Sequence, residues 1–514
     1  MKRIVLTGAS GNMGRAVLEK IYSIPDTVTR ILVKSEKEEK AFVGTVKKKY
    51  PSVEIVCGNL ADEKVCKKLV GNADYVVNCA AVIPPKSDKS PEAAIECNYY
   101  GVKTLLDAIK GSKNQPKLIH ISTVALYGNR NYLHPWGRVG DPLLPSVFDV
   151  YAKSKLFGER LVLESGLNSW AVLRQTAMLH ARMLADNMKD GLMFHTCFNS
   201  PLEWITAADS GLLIRNILLA DMSGGAETFW KRVYNIGAGE SNRNTGYETF
   251  NDGFGIIGGS AKSFMEPSWQ ATRNFHGMWF SDGEILQKKF NYQTEKCSDY
   301  WKEILKNHPY YGIAKIIPTG VIKSLAIKRL LSDSNSPTKW DKNSDEARMA
   351  AYFYDGKRDT RSWAEFPLLS EGNTERGKVD YKNMQDITKV KDNGYLLNHG
   401  FDETKPQEEL DIEDMKKAAE FRGGKCLSEF MVKGDLYAPL LWECSEGHKF
   451  FATPYTVLFA GHWCEECLKN VWNYDIVASK SPYFAQVYYD SHDRKERNVY
   501  YMSGKQAFYR ESTI

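Results

Sequence analysis

Tyr151 and Lys155 stand four positions apart in Tyr151-Ala152-Lys153-Ser154-Lys155, a spacing that puts both side chains on one face of a helix. An ammonium beside a phenol lowers its pKa and makes the phenolic proton usable near neutral pH. Thr123, in Ile121-Ser122-Thr123-Val124-Ala125-Leu126-Tyr127-Gly128, can offer a second hydroxyl to the same oxygen. Such a set suits proton movement at an alcohol or a carbonyl. A second constellation lies near the other end of the chain. Cys444 and His448 form a Cys-x3-His pair, Cys464 and Cys467 a Cys-x2-Cys pair, and 15 residues separate the two. Three thiolates and one imidazole suit tetrahedral zinc. With four protein ligands such a site is closed and structural, because a catalytic zinc keeps one position open. Cys426, after Gly423-Gly424-Lys425, can replace one ligand or cap the site.

The elements that must position these groups are legible as alternation. Over the first 175 residues, short apolar runs alternate with amphipathic stretches, the pattern of a parallel sheet covered by helices. Strands are predicted at Arg3–Thr7, Arg30–Lys34, Val53–Cys57, Tyr75–Cys79, Leu118–Ser122, Trp170–Arg174 and Arg232–Ile236. Helices are predicted at Met13–Tyr22, Pro91–Ile109 and Asp411–Phe421, the last with Asp411 as N-cap and Gly423 as its stop. The fold class is therefore α/β: a doubly wound Rossmann sheet, a substrate-binding subdomain and a C-terminal module. Residues 1–331 read as the first unit, with the substrate part mainly in 175–331. Residues 332–420 read as a linker or irregular region, and 421–514 as the cysteine-bearing module. Ile316–Leu331 is basic and apolar. It reads as a helix packed on its domain with Lys323, Lys328 and Arg329 at the edge, and the alternative is a helix lying on a membrane surface.

Thr7-Gly8-Ala9-Ser10-Gly11-Asn12-Met13-Gly14 follows the first strand and opens the first helix. Gly8 permits the tight turn, Gly11 lets the backbone approach a pyrophosphate, and Gly14 lets helix and strand pack closely. Ser10, Asn12 and Met13 complete the loop, and the helix N-terminus presents N–H groups and partial positive charge. A strand-to-helix junction is the context that gives such glycines meaning, so a dinucleotide is expected here. The second strand ends Val33-Lys34-Ser35, with no carboxylate before Glu36. A basic strand end suits a ribose 2′-phosphate, so Lys34 and Ser35 favour NADP, with NAD as the alternative.

With these residues in hand, the chain resembles the extended short-chain dehydrogenase/reductase family over about residues 1–330. The matching motifs are Gly8/Gly11/Gly14, Gly58-Asn59-Leu60-Ala61-Asp62, Asn78-Cys79-Ala80-Ala81, Asn98-Tyr99-Tyr100-Gly101, Ser122-Thr123 and Tyr151/Lys155. The resemblance implies that Tyr151 is the general acid/base, Thr123 polarises the reacting oxygen, and Lys155 anchors the nicotinamide ribose. It further implies that Asn59, in place of the family's usual Asp, and Leu60 contact the adenine. Asn78, Ala80, Ala81 and Asn98 would belong to the cofactor cleft. Sugar-nucleotide dehydratases carry acidic residues just after the Thr, where this chain has Val124 and Ala125, which disfavours dehydration. The expected activity is hydride transfer between a nicotinamide and a secondary alcohol or carbonyl. A nucleotide-sugar epimerase with tightly bound NAD and a non-catalytic nucleotide-sensing scaffold are the alternatives. Trp442, Cys444, Gly447-His448, Phe450 and Trp463-Cys464 resemble a zinc-ribbon module.

Composition limits the partners. The 514 residues carry a formal net charge of +5, too mild an excess to point to nucleic acid. From residue 421 onward, eleven Lys/Arg meet eleven Asp/Glu, and a neutral module makes a poor phosphate binder. It reads as a folding staple or a protein or self-contact module. No run approaches a membrane span of roughly 18 apolar residues, and no secretory signal is read at Met1. Ten thinly spread cysteines suit a reducing cytoplasm. Tyr132, His134, Trp136 and Phe148, with His180, Met193, Phe194 and His195, suggest a small and apolar substrate.

Overall fold

The structure is a computed structural model that describes residues 1–181, 183, 190–502, 507 and 508. Its centre is a seven-stranded parallel sheet. The strands are β1 (Lys2–Thr7), β2 (Thr27–Val33), β3 (Glu54–Cys57), β4 (Tyr75–Asn78), β5 (Lys117–Thr123), β6 (Trp170–Gln175) and β7 (Arg232–Ile236). Their order across the sheet is β7-β6-β5-β4-β1-β2-β3. The order reverses beside β1, which opens a crevice at the carboxyl ends of β1 and β4. The predicted strands all occur, Arg232–Ile236 with its bounds unchanged and the others with no end shifted by more than three residues.

Helices α1 (Asn12–Ile21), α2 (Lys40–Lys49), α3 (Glu63–Val70), α4 (Gly101–Lys110), α5 (Val150–Leu163) and α6 (Ala207–Met222) flank the sheet. Their apolar faces explain the two layers. On one side α1, α2 and α6 bury Val17, Val43 and Ile214 against Ile4, Leu6 and Ile31. On the other, α3, α4 and α5 bury Leu69, Leu105 and Leu156 against Val5, Val76 and Leu118. That second layer continues without a break into Trp442, Tyr455, Leu458 and Trp472 of the C-terminal segment. The predicted helix over 91–109 is divided, with Pro91–Ile95 and α4 separated by a wider π turn at Glu96–Tyr100.

Residues 332–420 contain short helices, turns and one small hairpin of Asn373–Thr374 with Gly377–Lys378, and they are packed. Trp340 and Phe353 join the large core, while Leu369, Met384 and Val390 close over Trp136 and Trp279. The Trp136 indole N–H donates to the Met384 carbonyl at 2.8 Å, so Trp136 is a core side chain. Helix Ile412–Phe421 begins where expected, with Asp411 accepting from the Glu413 and Asp414 amides and Gly423 beyond its end at φ 76°. A three-stranded antiparallel sheet of Lys425–Cys426, Leu440–Glu443 and Lys449–Ala452 follows. All ten cysteines are free thiols. Among the described residues, no helix is long and apolar enough to cross a membrane.

Candidate active site and metal centre

The loop after β1 is shaped by absent side chains. Gly8 has φ 66°, and a Cβ there would come within 2.6 Å of the Cys79 backbone at the end of β4. A Cβ on Gly14 would meet the Gly8 carbonyl oxygen at 2.0 Å. Both positions therefore hold the β1 loop, the start of α1 and the β4 loop in mutual contact. Gly11, the N-cap of α1, makes no side-chain cap, so the first amides of the helix face the crevice uncovered. A cradle of bare backbone at a helix N-terminus is what a pyrophosphate requires.

At the neighbouring end of β2 the sequence-based expectation changes. Glu39, just before α2, folds back. Its carboxylate accepts from Ser10 Oγ at 2.5 Å and from the Lys34 amide at 2.9 Å. Ser35 Oγ is occupied locally, accepting from the Glu38 amide at 3.1 Å. The exposed Lys34 side chain thus shares its surroundings with an acidic group that the reading of the strand end had placed no nearer than Glu36.

Asn78 and Asn98 are fully buried, and both brace the crevice from behind. Asn78 accepts from Thr7 Oγ1 at 2.6 Å and contacts His120 Nδ1 at 3.0 Å. Asn98 accepts from the Val82 amide and donates to the Val82 carbonyl and Ser154 Oγ. Its amide group is thereby committed to tying the β4 loop to α5, which makes it a brace and corrects the expectation of direct cofactor contact. Leu60 likewise points into the core against Gly101, so its side chain is not offered to an adenine. Asn59 is exposed, with its amide reaching Glu96 at 3.2 Å. Ala80 and Ala81 are half-buried at the mouth of the crevice.

Thr123 and Tyr151 face one another, while Lys155, one helical turn on, directs its amine at β5. Thr123 ends β5, and its hydroxyl hydrogen-bonds the phenol of Tyr151 in the first turn of α5. Asp149 caps that helix, accepting from the Ala152 amide at 2.9 Å. Lys155, one turn on, is buried and donates to the Ile121 carbonyl at 2.5 Å, with His120 Nε2 at 3.4 Å. Burial brings its pKa down to about 8, against the opposing pull of Cys97 and Glu159. The Tyr151 phenol is pushed up to about 12, chiefly by burial, with the Thr123 hydrogen bond opposing and Asp149 adding. The expected lowering of the phenol by Lys155 is therefore not what this geometry produces, because the amine turns toward β5.

At the N-terminal end of α5, lined by Asp149 and Val150 but not by Tyr151, lies a cavity of about 210 Å³ whose walls also include Asp88, Ser146, Phe148, His195 and Trp472. The lining is mixed, where the sequence suggested an apolar one. Burial pushes Asp149 up to about 7 and, with Asp190 nearby, Asp88 up to about 6. Met193 and Phe194 are core residues. His195 Nε2 donates to the Asn335 carbonyl, 2.7 Å away, and His134 pairs with Asp490 at 2.6 Å. Neither partner was visible in sequence, since both come from more than a hundred residues downstream.

Behind α5 runs a buried polar chain that the sequence did not reveal. Glu159 accepts from Ser122 Oγ at 2.5 Å, from Arg174 Nη2 at 2.6 Å and contacts His462 Nε2 at 3.0 Å. Burial would raise this carboxyl, but Arg174 and His462 hold it far below the usual carboxylate range. Arg174 also donates to Tyr127 Oη and the Ala460 carbonyl. Lys153, fully buried, donates to the Leu468 and Val471 carbonyls at 2.6 Å and lies 3.8 Å from the Trp472 ring centroid.

Cys444, His448, Cys464 and Cys467 place their ligand atoms within 4.8 Å of one another. Cys444 Sγ lies 3.5 Å from both His448 Nδ1 and Cys467 Sγ, and His448 Nδ1 lies 3.7 Å from Cys464 Sγ and 3.4 Å from Cys467 Sγ. Zinc bonds of about 2.3 Å to sulfur and about 2.0–2.1 Å to nitrogen imply tetrahedral edges of about 3.5–3.8 Å. The four atoms fit that cage. The hairpin turn supplies the first pair, with Gly447 at φ 79° and the Cys444 amide donating to the His448 carbonyl at 3.0 Å. Cys426 is outside the cluster, paired in register with Trp442.

Comparison with known proteins places the first third of the chain. A dTDP-4-dehydrorhamnose reductase of Mycolicibacterium smegmatis is 30% identical over 172 residues, 33% of this chain and 44% of that protein. Methionine adenosyltransferase 2 subunit beta of Danio rerio is 28% identical over 165 residues, 32% of this chain and 44% of its own length. The chain thus spans less than half the length of these curated relatives. Among solved structures, UDP-glucuronic acid 4-epimerase from Bacillus cereus in complex with UDP-glucuronic acid and NAD matches with a TM-score of 0.47 and 18% identity. That match covers 60% of this chain and 99% of the epimerase. A dTDP-glucose 4,6-dehydratase from Bacillus anthracis in complex with NAD matches at 0.46 and 17%, covering 61% and 98%. The profile of the NAD dependent epimerase/dehydratase family matches residues 4–172, the stretch that holds the glycine loop, Thr123, Tyr151 and Lys155. Over residues 4–172, about a third of the chain, the protein is similar to the NAD dependent epimerase/dehydratase family.

Proposed function

We propose that the chain is a nicotinamide-dinucleotide-dependent oxidoreductase of the extended short-chain dehydrogenase/reductase type, with a structural zinc site in its C-terminal module. The observation that carries this reading is the pairing of Thr123 with Tyr151, one helical turn before Lys155, at the carboxyl edge of the same sheet whose β1 loop leaves bare backbone at a helix N-terminus. The bound nicotinamide supplies or accepts the hydride. Thr123 and Tyr151 hold the substrate oxygen between two hydroxyls, and Tyr151 gives that oxygen its proton in reduction or takes it in oxidation. Lys155, fixed by the Ile121 carbonyl, anchors the ribose hydroxyls. Val124 and Ala125, both buried, carry no proton, which favours redox chemistry over elimination.

For the cofactor, Lys34 favours NADP and Glu39 favours NAD. The carboxylate has the defined position, bridging Ser10 and the Lys34 amide, where it would repel a 2′-phosphate and accept from a 2′-hydroxyl. NAD is therefore the preferred form. This also keeps the epimerase reading open as the second one, since the same hydroxyls serve a transient oxidation. That reading predicts NAD released on denaturation and no net redox. A small molecule is the substrate partner, and the mixed cavity wall replaces the apolar expectation. The zinc reading rests on the tetrahedral spacing of the four ligand atoms, and the unpaired thiols fit the expected cytoplasmic setting.

Tyr151→Phe is the decisive experiment. Turnover with a panel of ketones, aldehydes and alcohols is expected to fall by about 10²–10⁴-fold, while dinucleotide binding followed by fluorescence stays within a few-fold. Retained turnover overturns the assignment of Tyr151.

A further inference from the structure

Among the described residues, fifteen large apolar side chains are well exposed, and six of them fall between residues 310 and 325. They are Tyr310, Ile313, Ile316, Ile317, Val321 and Leu325, with Ile316 83% and Leu325 72% exposed. Scattered exposed leucines are ordinary, but a concentration of this kind marks a contact surface. The segment is a succession of short helical turns at Tyr310–Ile313, Ala314–Ile316, Thr319–Ile322, Lys323–Ile327 and Lys328–Ser332. Its inner face is satisfied. Ile327 and Leu330 are buried with Phe264 and Trp269, and Ile322 and Leu331 pack against them. Lys323 reaches Glu266 at 2.5 Å. The outer face has no such cover, so the segment is held to the protein by one set of apolar residues and presents another.

Charge identifies what the outer face fits. Residues 301–331 contain Lys302, Lys306, Lys315, Lys323, Lys328 and Arg329 against the single acid Glu303. Lys306, Lys315, Lys328 and Arg329 are exposed beside the apolar residues. We propose that residues 310–329 dock this protein onto an anionic membrane surface, with the isoleucines and Leu325 in the acyl boundary and the cations at the headgroups. A second copy of the chain is a poorer occupant. A two-fold contact brings the same patch against itself and would set these cations against one another. The docking is peripheral, and it is independent of the reaction assigned above.

The test is cosedimentation of the full chain with vesicles of phosphatidylcholine alone or mixed with phosphatidylserine, at low and high salt. Binding is expected to require phosphatidylserine and to weaken with salt. Ile316→Glu with Leu325→Glu is expected to lower binding about tenfold or more, with circular dichroism and thermal unfolding unchanged because both side chains lie outside the core. Lys328→Glu with Arg329→Glu is expected to weaken binding several-fold and to flatten the salt dependence. The proposal is overturned if the wild-type chain stays in the supernatant with both vesicles, or if the Ile316/Leu325 variant binds as well as wild type. It is equally overturned if ultracentrifugation shows a dimer that this variant dissolves while vesicles recruit neither protein.

Discussion

The glycine loop after β1 and helix α5 are held in place by different means. In the loop the decisive residues are close in sequence: Gly8, Gly11 and Gly14 follow β1 directly, and each acts by lacking a side chain. Helix α5, which carries Tyr151 and Lys155, is gripped from the far end of the chain. Lys153 is held by carbonyls 315 and 318 residues away, Glu159 by His462 and Arg160 by the Trp463 carbonyl, each 303 residues away. The contacts at Leu468, Val471 and Trp463 flank Cys464 and Cys467 of the metal cluster. Local backbone geometry therefore makes the glycine loop, whereas long-range buried hydrogen bonds fix the helix that carries Tyr151 and Lys155. The difference also ties the segment bearing Cys444, His448, Cys464 and Cys467 to helix α5 through position.

Four variants can break or sharpen this contrast. The largest stability effect is expected at the grip on α5. Glu159→Gln removes one partner of a buried pair and leaves Arg174 uncompensated, which costs about 3–5 kcal/mol in denaturant unfolding. The sign with pH follows from the depressed folded pKa of Glu159. Its stabilisation is present above the unfolded value and is lost as pH falls through the folded one, so the gap between wild type and variant should narrow in acid. An equal gap at neutral and acid pH would show that the carboxylate charge is not what holds the network.

A smaller loss is expected one step farther out. Cys464→Ser should abolish stoichiometric zinc in metal analysis and loosen the 464–472 segment. Lys153→Met should lower stability by about 1–3 kcal/mol through the two carbonyls left without their donor. Both changes should reduce kcat more than they change dinucleotide affinity. A variant that loses zinc and keeps full turnover would separate the module from the active site. The smallest change in stability, and the clearest in selectivity, belongs to the loop end. Glu39→Gln is expected to shift the NAD over NADP ratio of kcat/KM toward NADP by about tenfold, one lost charge-assisted hydrogen bond of roughly 1.5 kcal/mol. An unchanged ratio would return cofactor choice to Lys34.

Much of the fold was readable because period and punctuation are local. Alternating apolar runs located all seven strands of the central sheet, and Asp411 with Gly423 delimited their helix. The strongest site signals were likewise short: a glycine triad, Tyr-x-x-x-Lys, and two knuckle pairs. What stayed hidden was the direction in which side chains turn. Asn98 stood in a cofactor-associated motif yet spends its amide on Val82 and Ser154. Glu39 was one carboxylate among Glu36, Glu38 and Glu39, with nothing in the sequence to say which would fold back on Ser10. His120, Glu159 and His462 resemble ordinary residues until the sheet, α5 and the C-terminal segment are superposed.

The amino-acid sequence alone determined that a strand, a glycine turn and a helix would follow one another, that a phenol and an amine would be carried by one helix, and that two short Cys/His pairs would be available to cluster. These properties depend on residue type and on spacings of a few positions, which the backbone fixes locally. The tertiary structure decided that Lys155 faces β5 and not the phenol, that Lys153 is clamped by carbonyls from the metal-binding segment, and that the 310–325 apolar residues face outward. Each of those depends on which distant groups share one low-dielectric interior or are left outside it, a matter of packing that no short stretch of chain contains.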